Sequence, residues 1–456
     1  MSDPSPPLHS FFSNCSQAFS GLLSEACCQR IFASHGPRGG VTPKLSPWQW
    51  IMARVYHEFA RSGTFSANVK TITRVSISDS ALSQRTFSIG WKLIDEILPA
   101  VLRPLADVIR HPAAFYLGYR LLAFDGTRFD LRNTLAINAK VTKNRCSKGT
   151  GVPAFAHLLG LVLVELGLHQ PLAAAFGWQG EGELTLARKI FSRQALPQRC
   201  LILADRLFGI PSLMWELIPL LDQAASAVLF RVKSNLKVTR LRQLTDGSWL
   251  VSIPVIQPGT RQQIGTLLLR EIHAEIHYEG GAKPLAKRLW TSLLDETEHP
   301  TSALVELYAS RWEEELFFRE LKSHLHGRHN LLDAQTPETA AQEVLAMLLA
   351  ASLVAMQREV VAERAGVEIL RISFAKVLHK TAALCELLAV GGDLIGPAAL
   401  TQWIERILND LQTSALVQKR QPRSCPRTLR QPTQDWPKTK TASSKPLRKT
   451  IMFTNP

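Results

Sequence analysis

The chain has 456 residues, with 53 Lys and Arg against 38 Asp and Glu and a net charge of +15 at pH 7. This length exceeds one ordinary domain, so we expect two or three. The excess of positive charge predicts a polyanionic partner, which could be DNA, RNA or an anionic membrane surface. A membrane-spanning protein is disfavoured, because the longest apolar stretch, residues 345–356, is shorter than the roughly 20 residues that cross a bilayer.

The ends of the chain and its cysteines favour an intracellular protein. The N-terminal sequence MSDPSPPLHSFF has neither the charged start nor the apolar run of a signal peptide, so we expect a cytoplasmic location. The seven cysteines are scattered without a CxxC pair and are interpreted as reduced thiols. The histidines at 324, 326 and 329 lack cysteine partners and a common helical face, which favours solvated or DNA-facing side chains over zinc ligands.

Residues 1–115 have the pattern of a helical module. Ser46 and Pro47 can supply an N-cap and a first-turn proline before the sequence WQWIMARVYHEFAR. A second helix is predicted through DSALSQRTFSIGWKLIDEIL, with Asp79 or Ser80 as its cap, and the segment SANVKTITRVSIS between them is β-prone. We interpret the module as a DNA-binding unit, with plain packing helices as the alternative.

From residue 116 onward, short apolar runs that end in acids or glycine alternate with helical patterns. This alternation predicts an α/β domain with a mixed sheet, formed by residues 116–235 and 299–412. Residues 236–298 are β-rich and contain the turn signals DGS and EGG, which predicts a β insertion into that domain. One helix is expected from about Ser302 to Leu325, with further helices from Pro337 to about 412. The basic segment 413–456 is predicted to be disordered.

Two aspartates follow apolar strand patterns. Asp125 ends the run LLAFD and Asp205 ends the run LILAD, and a carboxylate in this position emerges at the carboxyl edge of a sheet. A single aspartate at the end of a strand is most often a turn or cap residue. Two of them within one α/β domain are better evidence for a ligand or metal site.

The sequence YASRWEEELFFRELK carries a polar stripe. At about 100° per residue, four side chains fall within a stripe roughly 60° wide on an α-helix, whereas the neighbouring acids at 313, 314 and 320 lie elsewhere. The four residues of the stripe are Tyr308, Arg311, Glu315 and Lys322. The alternative is an ordinary solvated helix face, but the apolar residues flanking the stripe argue against it.

Phosphodiester chemistry explains this grouping of acids and cations. Two metal ions about 3.5 to 4 Å apart stabilise the attacking and leaving oxygens of such a reaction. Mg²⁺ and Mn²⁺ prefer carboxylate oxygens, so three acids form a minimal site. Arg311, Lys322 and Tyr308 are then placed to hold a phosphate by charge-assisted hydrogen bonds.

These motifs resemble a known family. The chain resembles bacterial insertion-sequence transposases of the insertion-sequence-4-like group in three features. These are the aspartates in FDGT and LADR, the FRVKSN strand, and the spacing Tyr-x2-Arg-x3-Glu-x6-Lys, where x is any residue. The resemblance covers roughly residues 40 to 380. It implies an α/β fold with a ribonuclease-H-like core, a β-rich insertion and a helical N-terminal domain.

The resemblance also implies roles for individual residues. Asp125, Asp205 and Glu315 would form the Asp-Asp-Glu triad that binds two Mg²⁺ or Mn²⁺ ions. Tyr308, Arg311 and Lys322 would bind phosphate at the DNA end, and the FRVKSN strand adds two further basic residues near that end, Arg231 and Lys233.

The sequence departs from the family at one position. Better-known members stack a flipped base on a tryptophan of the insertion, but the ungapped match here is Lys287. Trp290 would need a three-residue shift, so we expect it to be a core residue.

We therefore expect a transposase that cuts double-stranded DNA at the ends of a mobile element and joins those ends to target DNA, most plausibly by cut-and-paste. It would act as a homodimer on DNA and need no membrane. One alternative is a nuclease of the same fold without strand transfer, against which the long insertion argues. The other is a non-catalytic DNA-binding descendant, against which the intact triad argues.

Overall fold

A computed structural model describes residues 23–35, 43–60, 63–141, 143, 155–193, 196–276, 285–325, 331–391 and 394–418. Among these residues, four α-helices precede the sheet: α1 (Glu25–His35), α2 (Pro47–Ala60), α3 (Phe65–Thr73) and α4 (Asp79–Val101). The histidines at 326 and 329, and the basic segment beyond residue 418, lie outside the described residues.

The start of α2 confirms the predicted cap. Helix α2 begins at Pro47, the Ser46 hydroxyl accepts a hydrogen bond from the Gln49 backbone N–H, and the Gln49 side chain accepts one from the Ser46 N–H. This reciprocal pair satisfies two backbone donors at the helix start. The cap of α4 was placed wrongly, because Ser78 rather than Asp79 or Ser80 accepts the Ala81 N–H.

The β-prone interpretation of SANVKTITRVSIS is also wrong. Residues Phe65–Thr73 form helix α3, whose N-cap Thr64 accepts the Ala67 N–H and whose last turn closes on Arg74 in the left-handed conformation, with φ 59°. Val69 is fully buried. Capping and packing therefore override the weak β preference of this stretch.

The strands form one mixed, ten-stranded sheet in the order β4-β3-β2-β5-β6-β10-β9-β8-β7, with β1 paired to β2. Its strands are β1 (Phe115–Tyr116), β2 (Tyr119–Leu131), β3 (Ala156–Glu165), β4 (Gln170–Gly177), β5 (Cys200–Gly209), β6 (Ala227–Val232), β7 (Thr239–Gln243), β8 (Trp249–Ile256), β9 (Gln263–Ile276) and β10 (Leu285–Thr291). Strands β2, β3 and β4 are antiparallel, whereas β5 is parallel to both β2 and β6. The predicted mixed sheet is confirmed.

The predicted β insertion does not form a separate sheet. Its last strand, β10, pairs antiparallel with β6, so β7 to β10 extend the central sheet. The buried Arg270 guanidinium donates to Asp246, and the Asp246 carboxylate also accepts from the backbone and hydroxyl of Thr301. This network ties the insertion to the first residue of the helix that follows it.

The remaining helices cover both faces of the sheet: α5 (Leu135–Lys140), α6 (Glu183–Arg193), α7 (Pro211–Gln223), α8 (Thr301–Ala309), α9 (Trp312–Arg319), α10 (Pro337–Ala365), α11 (Phe374–Gly391) and α12 (Pro397–Ser414). Helices α6 and α7 pack on one face, against Leu122 and Phe124 of β2. On the other face, α10 joins α1 to α4, α11 and α12 in a single hydrophobic cluster.

Helix α10 is the central helix of that cluster. By length and composition it could cross a membrane, but 83% of its most apolar 18-residue window is buried inside the protein. The apolar stretch 345–356, which is too short to cross a bilayer by itself, lies in the buried part of this helix. Burial among other helices explains its composition without any lipid contact.

Candidate active site

The two aspartates lie where neighbouring strands separate. The parallel pairing of β2 with β5 ends at Ala123 and Leu203, two residues before Asp125 and Asp205 respectively. Both strands continue, to Leu131 and Gly209, so neither aspartate ends its strand as predicted. The separation of the paired backbones, rather than the end of either strand, brings both carboxylates to one opening in the sheet.

The helix expected from about Ser302 to Leu325 is irregular. Helix α8 ends at Ala309 and α9 begins at Trp312, while residues 310–311 between them keep right-handed helical dihedrals but form a tighter turn, with hydrogen bonds to the carbonyl three residues back. Residues 320–325 form a π-helical turn. The continuous wheel drawn from the sequence is therefore wrong in detail. The predicted residues still face the sheet, because the Tyr308 hydroxyl donates to the Ala204 carbonyl at 3.2 Å.

Arg311 joins two members of the predicted triad. Its Nη2 lies 2.8 Å from Oε1 of Glu315, and its Nη1 lies 3.5 Å from Oδ2 of Asp125. Near the third member, Nη1 of Arg231 lies 3.8 Å from Oδ1 of Asp205. The structure thus brings Asp125 and Glu315 to the two sides of one guanidinium, although they come from β2 and α9.

The carboxyl group of Asp125 has an unusual environment. Burial raises its pKa to about 6, partly opposed by the Gly126 backbone N–H and the Arg311 cation, while the charges of Glu183 and Asp205 add to the increase. The Gly126 N–H donates to Oδ1 of Asp125 at 2.8 Å. Several acids therefore share a partly desolvated space at this edge, as is common in catalytic sites.

Glu183 is a member of this group that the sequence analysis missed. A Cβ atom built on Gly126 would lie only 2.3 Å from Cδ of Glu183, so the glutamate carboxyl packs directly over the glycine backbone. Burial, followed by the charge of Asp205, raises the pKa of Glu183. The glycine after Asp125 and the acid that begins α6 were the available signals, but only the folded topology brings them together.

Glu314 also differs from expectation. The helical wheel placed it outside the polar stripe, and in the structure it is fully buried, with the Asp125 backbone N–H hydrogen-bonding to its carboxyl group. Burial and the nearby charge of Asp125 hold its pKa well above the ordinary value. Glu314 therefore packs beneath the site beside β2 instead of facing solvent.

Lys322 and Tyr308 contact the backbone of the two strands that carry the aspartates. The Lys322 ammonium donates to the Arg128 carbonyl at 2.7 Å and lies 5.0 Å from the centre of the Phe129 ring. Burial lowers its pKa to about 8. Tyr308 is almost fully buried, and burial raises the pKa of its phenol. Their predicted contacts with phosphate stay predictions, while their contacts in the structure are with backbone carbonyls of β2 and β5.

A basic cavity of about 1090 Å³ opens beside Asp205 between the core and the insertion. Its cationic lining residues are Arg206, Arg231, Lys233, Arg240, Lys287 and Arg288. Trp290 does not line it, because its side chain is fully buried and its Nε1 donates to Glu271 at 2.8 Å. The expectation that Trp290 is a core residue is confirmed.

Whether these carboxylates could bind a metal ion can be judged from Arg311, whose positive charge lies between two of them. Within the described part of the chain, no three acids, histidines or cysteines converge tightly enough to hold a metal as arranged here. The Arg311 guanidinium occupies the space between Asp125 and Glu315. That space therefore accepts a cation, and hard carboxylate oxygens are the donors that Mg²⁺ and Mn²⁺ prefer.

Comparison with known proteins decides the family. The family model described as the transposase DDE domain matches residues 116–353, just over half of the chain. The chain belongs to the DDE transposase family. The matched region contains both aspartates, Glu315 and the whole insertion.

Individual relatives agree with this assignment. The transposase InsG of insertion sequence element IS4 from Escherichia coli strain K12 is 25% identical over 293 residues, which are 64% of this chain and 63% of InsG. The chain thus matches less than two thirds of that relative's length. The predicted resemblance to insertion-sequence-4-like DDE transposases is confirmed. A cryo-EM structure of the piggyBac transposase synaptic complex with hairpin DNA aligns over 92% of this chain and 88% of its own, with 11% identity and a TM-score of 0.46.

Proposed function

We propose that this DDE transposase cleaves double-stranded DNA at the ends of an insertion element and joins those ends to target DNA by cut-and-paste. We further propose that its core is ribonuclease-H-like. The support is the strand order, in which three antiparallel strands, β4, β3 and β2, are followed by β5 and β6 running parallel to β2, with helices on both faces.

The observation that carries the proposal is the bridge made by Arg311. It brings Asp125 of β2 and Glu315 of α9 to one positive charge, at the opening where β5, which carries Asp205, separates from β2. In this proposal Asp125, Asp205 and Glu315 hold two Mg²⁺ or Mn²⁺ ions, which would supply charge stabilisation to the attacking and leaving oxygens. Asp125 must be ionised to contribute, and its neighbouring acids oppose that ionisation.

The basic residues around the carboxylates would hold the DNA. Arg231 and Lys233 line the cavity beside Asp205, Arg311 lies between Asp125 and Glu315, and Lys322 and Tyr308 contact backbone carbonyls of β2 and β5. Cationic side chains that reach a reacting phosphate neutralise its charge and fix its position. We propose a homodimer on DNA, because cut-and-paste requires both ends of the element to be processed together.

The test compares two adjacent glutamates. Full-length Glu315→Gln and Glu314→Gln proteins are incubated in Mg²⁺ with a labelled element end and a target plasmid, and cleavage and joining are scored separately. We expect Glu315→Gln to abolish both reactions while end binding persists, and Glu314→Gln to retain them. Wild-type rates for Glu315→Gln with an inactive Glu314→Gln would exclude Glu315 as the third acid. Cleavage without joining by the wild type would indicate a nuclease instead.

A further inference from the structure

A buried histidine contacts the helical segment that carries Glu315, on the face away from Glu315. His169 lies in the turn between β3 and β4 and is almost completely buried. Its Nε2 lies 2.9 Å from the Glu313 carboxylate of α9, and its Nδ1 lies 2.7 Å from the Glu320 carboxylate in the π-helical turn. One imidazole ring thus joins two acids on either side of the segment that carries Glu315.

The two contacts favour a charged ring. Burial alone would lower the pKa of His169, but the Glu320 charge and the hydrogen bonds of both glutamates hold it above its ordinary value. Glu320 is also 3.4 Å from Nη1 of the buried Arg358, whose Nε donates to the Ile372 carbonyl. The charges of His169 and Arg358 outweigh burial and lower the pKa of Glu320 to about 2. The cluster is therefore a set of opposite charges that neutralise one another inside the protein.

The backbone of His169 adopts a conformation that is strained for a residue with a side chain. Its φ of 57° lies in the left-handed region, which glycine adopts without strain and most other residues avoid. A glycine would serve this turn better. What the histidine adds is a ring with two donors, each aimed at a different carboxylate of one helical segment.

We propose that His169 is a positioning residue for Glu315, an inference that rests on the metal-dependent function proposed above. Glu313 and Glu320 are seven residues apart and face His169, whereas Glu315, about 200° around the helix from Glu313, faces the carboxylate opening. Rotating the helix by about 20° would move a side-chain tip by roughly 2 Å, at the geometry of an ordinary helix. Metal ligation tolerates only a few tenths of an ångström, so fixing this rotation fixes the ligand.

The experiment measures Mn²⁺ binding to the full-length protein by calorimetry, well below the unfolding temperature. His169→Gly removes the ring without straining the turn, and we expect Mn²⁺ affinity to fall about tenfold to a hundredfold, the range found when groups supporting metal ligands are lost. Added imidazole should restore part of it. The affinity for a labelled DNA end should change less than about twofold, because no phosphate-binding cation is altered.

Two further variants make the result decisive. His169→Asn tolerates the left-handed backbone and keeps one donor, so it should bind Mn²⁺ with intermediate affinity, and it replaces the glycine variant if that protein does not fold. Leu217→Ala, in α7 on the opposite face of the sheet, is the matched destabilised control and should keep wild-type Mn²⁺ affinity. Wild-type affinity in the His169 variants, or an equal loss in Leu217→Ala, would overturn the inference. Absence of Mn²⁺ binding by the wild type would instead refute the proposed metal site itself.

Discussion

The carboxyl group of Glu314 lies buried beside Asp125, whose backbone N–H hydrogen-bonds to it and whose negative charge adds to burial in raising its pKa. A buried acid with a raised pKa lowers the stability of the folded protein once the unfolded chain can ionise it. We therefore expect Glu314→Leu to raise the free energy of unfolding by about 1 to 3 kcal/mol at pH 7, as measured by denaturant titration. Leucine is close to glutamate in size, so overpacking should be small.

The stability gained by Glu314→Leu should depend on pH, because the pKa of Glu314 is raised. The unfolded chain releases this proton near pH 4.3, whereas the folded protein retains it to much higher pH. The wild type therefore loses stability as pH rises above about 4.3, and the leucine variant lacks this loss. The stability difference between the two proteins should widen from pH 4 to pH 7. A leucine variant less stable than the wild type at pH 7 would mean that the carboxyl is well hydrogen-bonded.

A side chain at Gly126 should displace Glu183, because a Cβ atom there would lie 2.3 Å from Cδ of that glutamate. We expect Gly126→Ala to move the Glu183 carboxyl with little loss of stability, because it is the far end of a flexible side chain, and to slow DNA-end cleavage. Gly160→Ala, on the neighbouring strand β3, is the control, since its added Cβ would meet Phe176 at an ordinary 3.5 Å. A loss of stability in Gly126→Ala that Glu183→Ala does not relieve would place the clash elsewhere.

Asp125 should titrate near pH 6 in the metal-free protein, because burial and neighbouring acids raise its pKa. The measurement is a carboxyl carbon NMR titration, with Asp125→Asn to assign the signal. Replacing Glu183 with Gln removes one of the negative charges that raise this pKa, so the midpoint should move to lower pH. A midpoint near 4 in the wild type would show that the carboxyl is solvated.

Lys322 should make DNA-end binding sensitive to mildly alkaline pH. Its pKa of about 8 means that the ammonium is charged below pH 8 and loses its proton above it, so end affinity should fall as pH rises through that value. Lys322→Arg keeps the charge and should remove this decline, while Lys322→Ala should reduce the salt dependence of binding by roughly one phosphate contact. Equal pH profiles for wild type and Lys322→Arg would exclude Lys322 as the titrating group.

The sequence allowed the strands and the acids that follow their apolar runs to be predicted, because both are local signals. Asp125 and Asp205 were predicted in this way, and Glu315 was predicted from the helical stripe and the family resemblance; in the structure Arg311 contacts both Asp125 and Glu315. Glu183 could not be chosen, because nothing local indicates that the start of α6 lies over Gly126. The burial of Glu314 was missed since a helical wheel gives directions but does not say which of them is covered by a neighbouring strand.

The irregularity of the helical segment that carries Glu315 was missed for a related reason. Neither residue of the turn at 310–311 is glycine or proline, so the sequence gives no stop signal. The two halves are instead held by different strands. The Tyr308 hydroxyl donates a hydrogen bond to the Ala204 carbonyl of β5, and the Arg311 guanidinium donates one to the Asp125 carboxylate of β2. Contacts of this kind between distant segments are invisible to local periodicity.

The hydrogen bond between Tyr308 and Ala204 has a consequence for how such a protein can evolve. Ala204 immediately precedes Asp205, and Tyr308 follows the whole insertion, so the bond ties together the two ends of about a hundred residues of chain. Lengthening a segment whose ends are already fixed costs little, since closure entropy grows only with the logarithm of length. Strands β7 to β9 could then be lengthened, shortened or replaced between relatives without changing the spacing of the acids. Changes could accumulate in these strands without displacing the carboxylates.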